Sequence, residues 1–268
     1  MSQEPSPSFG NPPVVETVLS IQFDELEKFR TTHFGLFHST TMDRYPDAVD
    51  KQRLDGITEA FPLTPRIRKL QITPHEGTPE RVWFRDHSGC EMIQLQPDRL
   101  AFNWCRRNDA PEYPRYEPNR TKLLEEFENF NEFATAQELG AIRPNLCEVI
   151  YVNHIHPQDN EDVMDCFASV FAGVNWISTD GWLPQPPEIV TFNRVFMIPP
   201  KKGRLYIEAN IASGKNTKQF ILLKITARVT HNDGDQLIES LDLAHEWVVK
   251  SFVSVTDEEV RHNRWGQE

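Results

Sequence analysis

Apolar residues recur along this chain in two rhythms, one of period two and one close to 3.6, and their order predicts the elements. Val14–Phe23 (VVETVLSIQF) is dense in β-branched and apolar residues and reads as a first strand. Leu26, Phe29, Phe34 and Phe37 follow at intervals compatible with one helix face. Residues 38–80 are polar and irregular, and Pro46, Pro62, Pro65, Pro74 and Pro79 break any long element there. An elaborated loop, or a short helix between loops, is expected. Three short strands come next, Arg81–Arg85, Glu91–Gln96 and Leu100–Cys105, joined by the turn sequences DHSG and PD, so an antiparallel meander is predicted. Leu123, Phe127, Phe130 and Ala134 then mark the apolar stripe of a helix ending near Gly140.

The second half restates this order. Leu146–Ile155 (LCEVIYVNHI) aligns without a gap on Val14–Phe23, placing Glu148 opposite Glu16. A helix is predicted from Asp162 to Phe171, its CFASVF end similar to HFGLF in the first half. A Pro-rich connector, TDGWLPQPPE, stands where the first half has its irregular stretch. Strands are predicted at Thr191–Ile198, Arg204–Ala212 and Gln219–Thr230, the middle one alternating Leu205, Ile207, Ala209 and Ile211 with Tyr206, Glu208 and Asn210. Leu237, Leu241, Ala244, Val248 and Phe252 form the stripe of a closing helix. A repeated element order signals internal duplication. The connections are too short for parallel crossovers, so the predicted class is α+β: two similar β-α-β-β-β-α units with mainly antiparallel sheets and helices packed on one face. The expected organisation is a flexible tail over residues 1–12, a first unit over 13–140 and a second over 141–268. A TATA-binding-protein-like saddle and a helix-grip fold have roughly this unit order, as analogies.

Composition narrows the partners. The 268 residues carry a formal net charge of −12, and 10% are aromatic, including 17 Phe and 6 Trp, which suits an aromatic-rich core. A negative overall field disfavours nucleic acid and anionic membrane unless a local basic patch compensates. The longest basic cluster is Lys201, Lys202 and Arg204, followed by Lys215 and Lys218, and the economical reading is a solvated hairpin. Cys90, Cys105, Cys147 and Cys166 are scattered without a C-x-x-C pair and read as reduced, mostly buried thiols. No apolar run approaches bilayer-spanning length, and the Ser/Pro-rich N-terminus lacks the apolar region of a signal peptide, so a cytoplasmic location is expected.

Few residues carry candidate chemistry. His154 and His156 form an H-x-H pair on a strand, which points both imidazoles to one face and makes them the metal candidates, with Asp159, Asp162 or Cys147 as a third ligand. His245 and Glu246 begin an H-E pair, but the continuation HEWVV lacks the second histidine of the zinc-protease motif, and His245 reads as a packing residue at the stripe's edge. Glu16 and Glu148, at equivalent strand positions, would raise one pKa if they faced each other across a twofold, and would otherwise point to solvent. Trp83, Phe84, Phe102 and Trp104 on the meander are either core or a stacking platform for a flat ligand. PPKKGR and ASGKNTK lack the spacing of a phosphate-binding loop.

The opening NPPVVETVLSIQF, the central MIQLQPDRLAFNW followed by YPRY, and the closing LDLAHEWVVKSF…T…RWG together resemble a sporadically distributed family of bacterial proteins of unknown function, in order over nearly the whole chain. The resemblance implies a bacterial host and patchy inheritance, as in mobile antiphage-defence or toxin–antitoxin genes, and carries no catalytic residue. The expected function is a non-catalytic binding or regulatory protein, a sensor or partner subunit in such a system, that binds a protein or small ligand and needs no cofactor; a homo-oligomer is compatible with it. A metal-dependent hydrolase or nuclease using His154 and His156 is one alternative. A nucleic-acid-binding saddle using Trp83, Trp104, Lys201, Lys202 and Arg204 is the other.

Overall fold

Residues 7–63, 80–107, 112–171, 182–183, 187–214 and 218–268 are described by the computed structural model of this chain. They form β1 (Val14–Phe23), α1 (Thr31–Thr41), β2 (Asp47–Lys51), β3 (Arg81–Arg85), β4 (Glu91–Gln96), β5 (Arg99–Cys105) and α2 (Tyr116–Ala136). The second stretch adds β6 (Pro144–Ile155), α3 (Val163–Val170), β7 (Thr191–Ile198), β8 (Gly203–Ser213), β9 (Gln219–Thr230), α4 (Leu237–Val255) and α5 (Glu258–Trp265). Nine strands make one sheet in the order β2-β3-β4-β5-β1-β6-β9-β8-β7, every ladder antiparallel. The architecture is α+β, and one sheet runs through both expected units.

The two central strands meet with Val18 opposite Ile150, Glu16 opposite Val152 and Ser20 opposite Glu148. Period two divides the sheet's faces. Leu19, Ile21, Phe102, Val149, Leu205, Ile225 and Ala227 are all buried on one of them. There α2 packs on β5 and β1, and α4 packs on β9 and β6. Rings tie α1 to α2: Phe37 stands edge-on to Phe130 at 5.4 Å and to Phe133 at 5.4 Å. The smaller helices have explicit start signals. Asp162 accepts from Met164 N and Asp165 N at the head of α3, and Asp257 from Glu259 N and Val260 N at the head of α5.

Several expectations are revised. The first helix begins at Thr31; Leu26 and Phe29 are buried in the turn before it, where Phe29 N donates to Leu26 O (2.8 Å). The irregular stretch contains an edge strand, β2, paired to β3, while residues 64–79 lie outside the described residues. Of the expected tail, residues 7–12 are held against the C-terminus: Gly10 N donates to Gly266 O, Asn11 N to Trp265 O, and the Phe9 ring packs on Phe252 at 5.4 Å. Most of the second-half connector and Lys215 also lie outside the described residues.

The opposite sheet face is polar. Successive ladders align Trp83, Gln94, Ala101, Ser20, Glu148, Arg228 and Arg204 in one row across it. Residues 52–63 cross this face as a strap. Gln96 binds both Leu54 N (3.2 Å) and Leu54 O (3.1 Å), and Gln22 binds both Ile57 N (2.7 Å) and Ile57 O (2.9 Å). Each side-chain amide thus supplies the donor and acceptor that a neighbouring strand would. At the strap's start Arg53 forks onto Glu25 (2.9 and 2.9 Å) and reaches Asp98 at 3.0 Å. Farther along, Glu59 is buried against Arg204, accepts from Tyr206 Oη at 2.8 Å and lies 3.5 Å from Arg228.

Candidate functional site

A cavity of about 400 Å³ lies on the helical side where elements of the two halves meet. The chain entering α2 contributes Tyr113, Arg115, Tyr116 and Glu117, while α4 contributes His245, Val248, Val249 and Phe252. Tyr151, Asn153 and Ile225 floor it, and residues from Pro7 to Val14 close one side. Apolar walls with a few convergent polar groups are the usual make-up of a small-molecule site.

Local structure explains each side chain. His245 sits on the sheet-facing edge of α4, one turn beyond Leu241, and its ring stacks on Tyr116 at 3.7 Å and 1°. Tyr116 is fixed in turn: its hydroxyl donates to Asp242 Oδ1 (2.8 Å), which also pairs with Arg120. Tyr113 and Tyr151 join hydroxyls at 2.6 Å. Arg115, just ahead of α2, has φ 73° and ψ −179°, a region populated almost entirely by glycine. Its guanidinium donates to Phe9 O (2.9 Å), so the strained residue clamps the N-terminal segment over the cavity.

Burial sets the protonation states. It pushes the Tyr113, Tyr116 and Tyr151 phenols up, so all three stay neutral. It brings His245 down to about 4, outweighing the opposing pull of Glu117 and Asp242. An unfolded imidazole takes its proton near 6.5, so between these values the unfolded chain binds more protons. The stability supplied by neutral His245 is complete above pH 6.5 and is lost as pH falls toward 4, about 3 kcal/mol in all. Wild type is therefore expected to lose roughly that much more stability than His245→Phe between pH 7 and pH 4 in urea melts. Parallel losses in the two proteins would show that His245 is not buried in its neutral form.

The other candidate residues are dispersed. His154 and His156 share a face, with ring centroids 6.3 Å apart and both packed on Phe220 at 4.3 and 5.3 Å. Among the described residues no group of three or more His, Cys, Asp or Glu side chains is placed to hold a metal ion. Trp83 and Trp104 do not form a shared platform. Trp83 lies in the polar-face row with Ala101, whereas Trp104, three positions after Ala101 on β5, turns to the helices and packs on Tyr113 at 5.2 Å. The basic cluster is divided as well. Lys201 is exposed in a turn, Lys202 reaches Asp235 at 3.8 Å, and Arg204 is 4% exposed in its pair with Glu59, so it is not part of a solvated hairpin. Glu16 and Glu148 share the polar face but do not oppose each other: Glu16 accepts from Asn103 Nδ2 at 2.9 Å and Glu148 from Arg228 Nε at 2.6 Å.

Sequence reading placed His245 at the helix edge but missed the tyrosines that gather on it. The YPRY stretch, Tyr113 to Tyr116, was the available signal: two tyrosines beside an arginine just ahead of a helix. Among the described residues no helix is long and apolar enough to cross a membrane. No family model, curated protein or solved structure matches the chain, so the assignment of a role rests on this geometry.

Proposed function

We propose that this chain is a non-catalytic binding protein that takes a small planar ligand, about the size of a nucleobase, in the groove between α2 and α4. The observation that carries this reading is the Tyr116–His245 stack, two parallel aromatic rings at the wall of the cavity between α2 and α4. Flat rings offer a stacking surface at low entropic cost, and the Tyr113–Tyr151 hydroxyl pair offers donors and acceptors at the ligand's edge. Two of the four cysteines are not activated thiols. Burial lifts Cys147 to about 12 and Cys166 to about 11, so both stay protonated at neutral pH and are poor nucleophiles.

The groove's walls come from both halves, which fits an origin by duplication. The gapless pairing of Val14–Phe23 with Leu146–Ile155 sends Val18 onto Ile150, the two residues that face each other in the ladder. It also sends the pair Glu16–Val152 onto Glu148–Ser20, so the register is symmetric under exchange of the halves. In the setting suggested by the family resemblance, ligand capture would make this chain a sensor or partner subunit of a bacterial defence or toxin–antitoxin system.

Native mass spectrometry of the freshly purified chain, followed by calorimetric titration with adenine, guanine and uracil, tests the binding. The expected result is saturable 1:1 binding of a planar compound, lost in Val249→Trp, whose added ring enters the groove from a half-buried position, with circular dichroism as the check that the variant folds. No bound compound and no saturation by any base would refute the reading, and turnover of a bound base would replace it with an enzymatic one.

A further inference from the structure

We propose that the cavity under the residue 52–63 strap, on the polar face of the sheet, is a second binding site, for a small oxyanion such as a carboxylate or a phosphate. The cavity measures about 180 Å³. Its floor is set by two small residues facing each other across the ladder, Ala101 on β5 and Ser20 on β1. Their larger neighbours in the same row, Trp83 and Gln94 on one side and Glu148 on the other, make the walls, and Leu54 of the strap lies over it.

Three polar atoms in this lining are buried without a hydrogen-bond partner: Arg81 Nε, Arg99 Nε and Ser20 Oγ. Ser20 is 1% exposed and Arg99 6%. Arg99 donates through one terminal nitrogen to Gln22 Oε1 (2.9 Å) and Asp55 O (3.1 Å), and Arg81 donates to Gln94 Oε1 (3.0 Å), all uncharged acceptors. Neither guanidinium forms an ion pair among the described residues. Of the nearby acids, Asp98 pairs with Arg53 and Glu148 with Arg228, and both act on Arg99 only through their charge and not by contact, while Glu16 accepts from the neutral Asn103 amide. Burial, and after it the like charge of Arg99, pulls the Arg81 guanidinium below its ordinary pKa.

A buried guanidinium (Arg99) and a half-buried one (Arg81), each with a buried Nε that finds no acceptor, and a buried hydroxyl without a partner are individually expensive. One oxyanion in the cavity satisfies all three, accepting from two guanidinium N–H groups and a serine hydroxyl. Glu16 and Glu148 also line the space, which admits one small anionic group and opposes a polyanion. The site is on the opposite face from the α2–α4 groove, so it stands whether or not that groove binds a planar ligand.

Calorimetric titration of the full chain with sodium acetate and with inorganic phosphate, against sodium chloride at matched ionic strength, tests the proposal and separates the two anion classes. The expected result is saturable binding of at least one oxyanion and none of chloride. Affinity should fall at least tenfold in Arg81→Gln, and at least tenfold in Ala101→Val, which fills the floor but keeps both guanidiniums. Absence of saturable oxyanion binding in wild type, or binding retained in either folded variant, overturns it. Should Ala101→Val lose its native circular dichroism, Arg81→Gln decides alone.

Discussion

Replacing Glu59 with Gln is expected to lower the folding stability by about 3–5 kcal/mol, although the substitution changes the side chain's shape very little. The Glu59 side chain is 2% exposed and that of its partner Arg204 4%, so both charges have left water and depend on each other. The carboxylate also accepts from Tyr206 Oη, and the Arg204 guanidinium donates to Ala60 O. Removing the negative charge leaves Arg204 buried without a counter-ion. Arg228 is less exposed to this loss, because Glu148 holds its Nε at 2.6 Å. Replacing both members, in Glu59→Gln/Arg204→Met, should cost less than the two single changes summed, since no buried charge is then left unpaired. Urea denaturation of the four proteins gives the coupling energy. Additivity within about 0.5 kcal/mol would show that the pair is solvated and the strap loosely seated.

The second large effect lies in the other layer. Phe130→Ala is expected to cost about 3–5 kcal/mol, from lost transfer energy and the cavity left behind. Phe130 is fully buried and touches rings from three different segments: Phe23 of β1 at 5.8 Å, Phe29 ahead of α1 at 6.3 Å and Phe37 of α1 at 5.4 Å. Few neighbours can move in to fill the space, because each is held by its own element. Leu36→Ala on the exposed side of α1 should change stability by less than about 0.5 kcal/mol and serves as the control. A Phe130→Ala cost below about 1.5 kcal/mol would mean that the aromatic cluster repacks freely.

Much of this sheet was legible because burial acts on it through period two. The predicted bounds of β3, β4, β7 and β9 coincide with the observed ones; β3, β4 and β9 carry apolar residues onto the buried helical face, whereas β7 is an exposed edge strand whose bounds were legible from its β-branched and aromatic residues. Gly203, missed at the start of β8, has a different reason to exist: a Cβ there would collide with the Arg228 carbonyl of β9, a cross-strand approach invisible in one segment. The edge strand β2 was hidden because only its partner β3 makes it a strand, and its own DAVDK has one half-buried apolar residue, Val49. For α5 the cap Asp257 and the acidic first turn were available signals, but eight mostly polar residues carry little periodicity.

The sites were harder to read, for a related reason. Glu59 and Arg204 stand about 145 positions apart, and each alone resembles an ordinary surface charge. Arg81 and Arg99 likewise sit at alternating strand positions that face water in most antiparallel sheets, and only the strap turns that face inward. The separation of Trp83 from Trp104 was implicit in strand parity, but needed the ladder register between β3, β4 and β5 to become visible.

The strap also orders events as the chain folds. Residues 52–57 find their hydrogen-bond partners on β1, β4 and β5, all within about 45 positions, whereas Glu59 must wait for β8 and β9. A chain leaving the ribosome N-terminus first therefore carries an unseated acid while most of its second half is still being made. Non-local closure of this kind comes late, after local turns and hairpins have formed. Seating Glu59 becomes the molecule's own record that both wings of the sheet are complete.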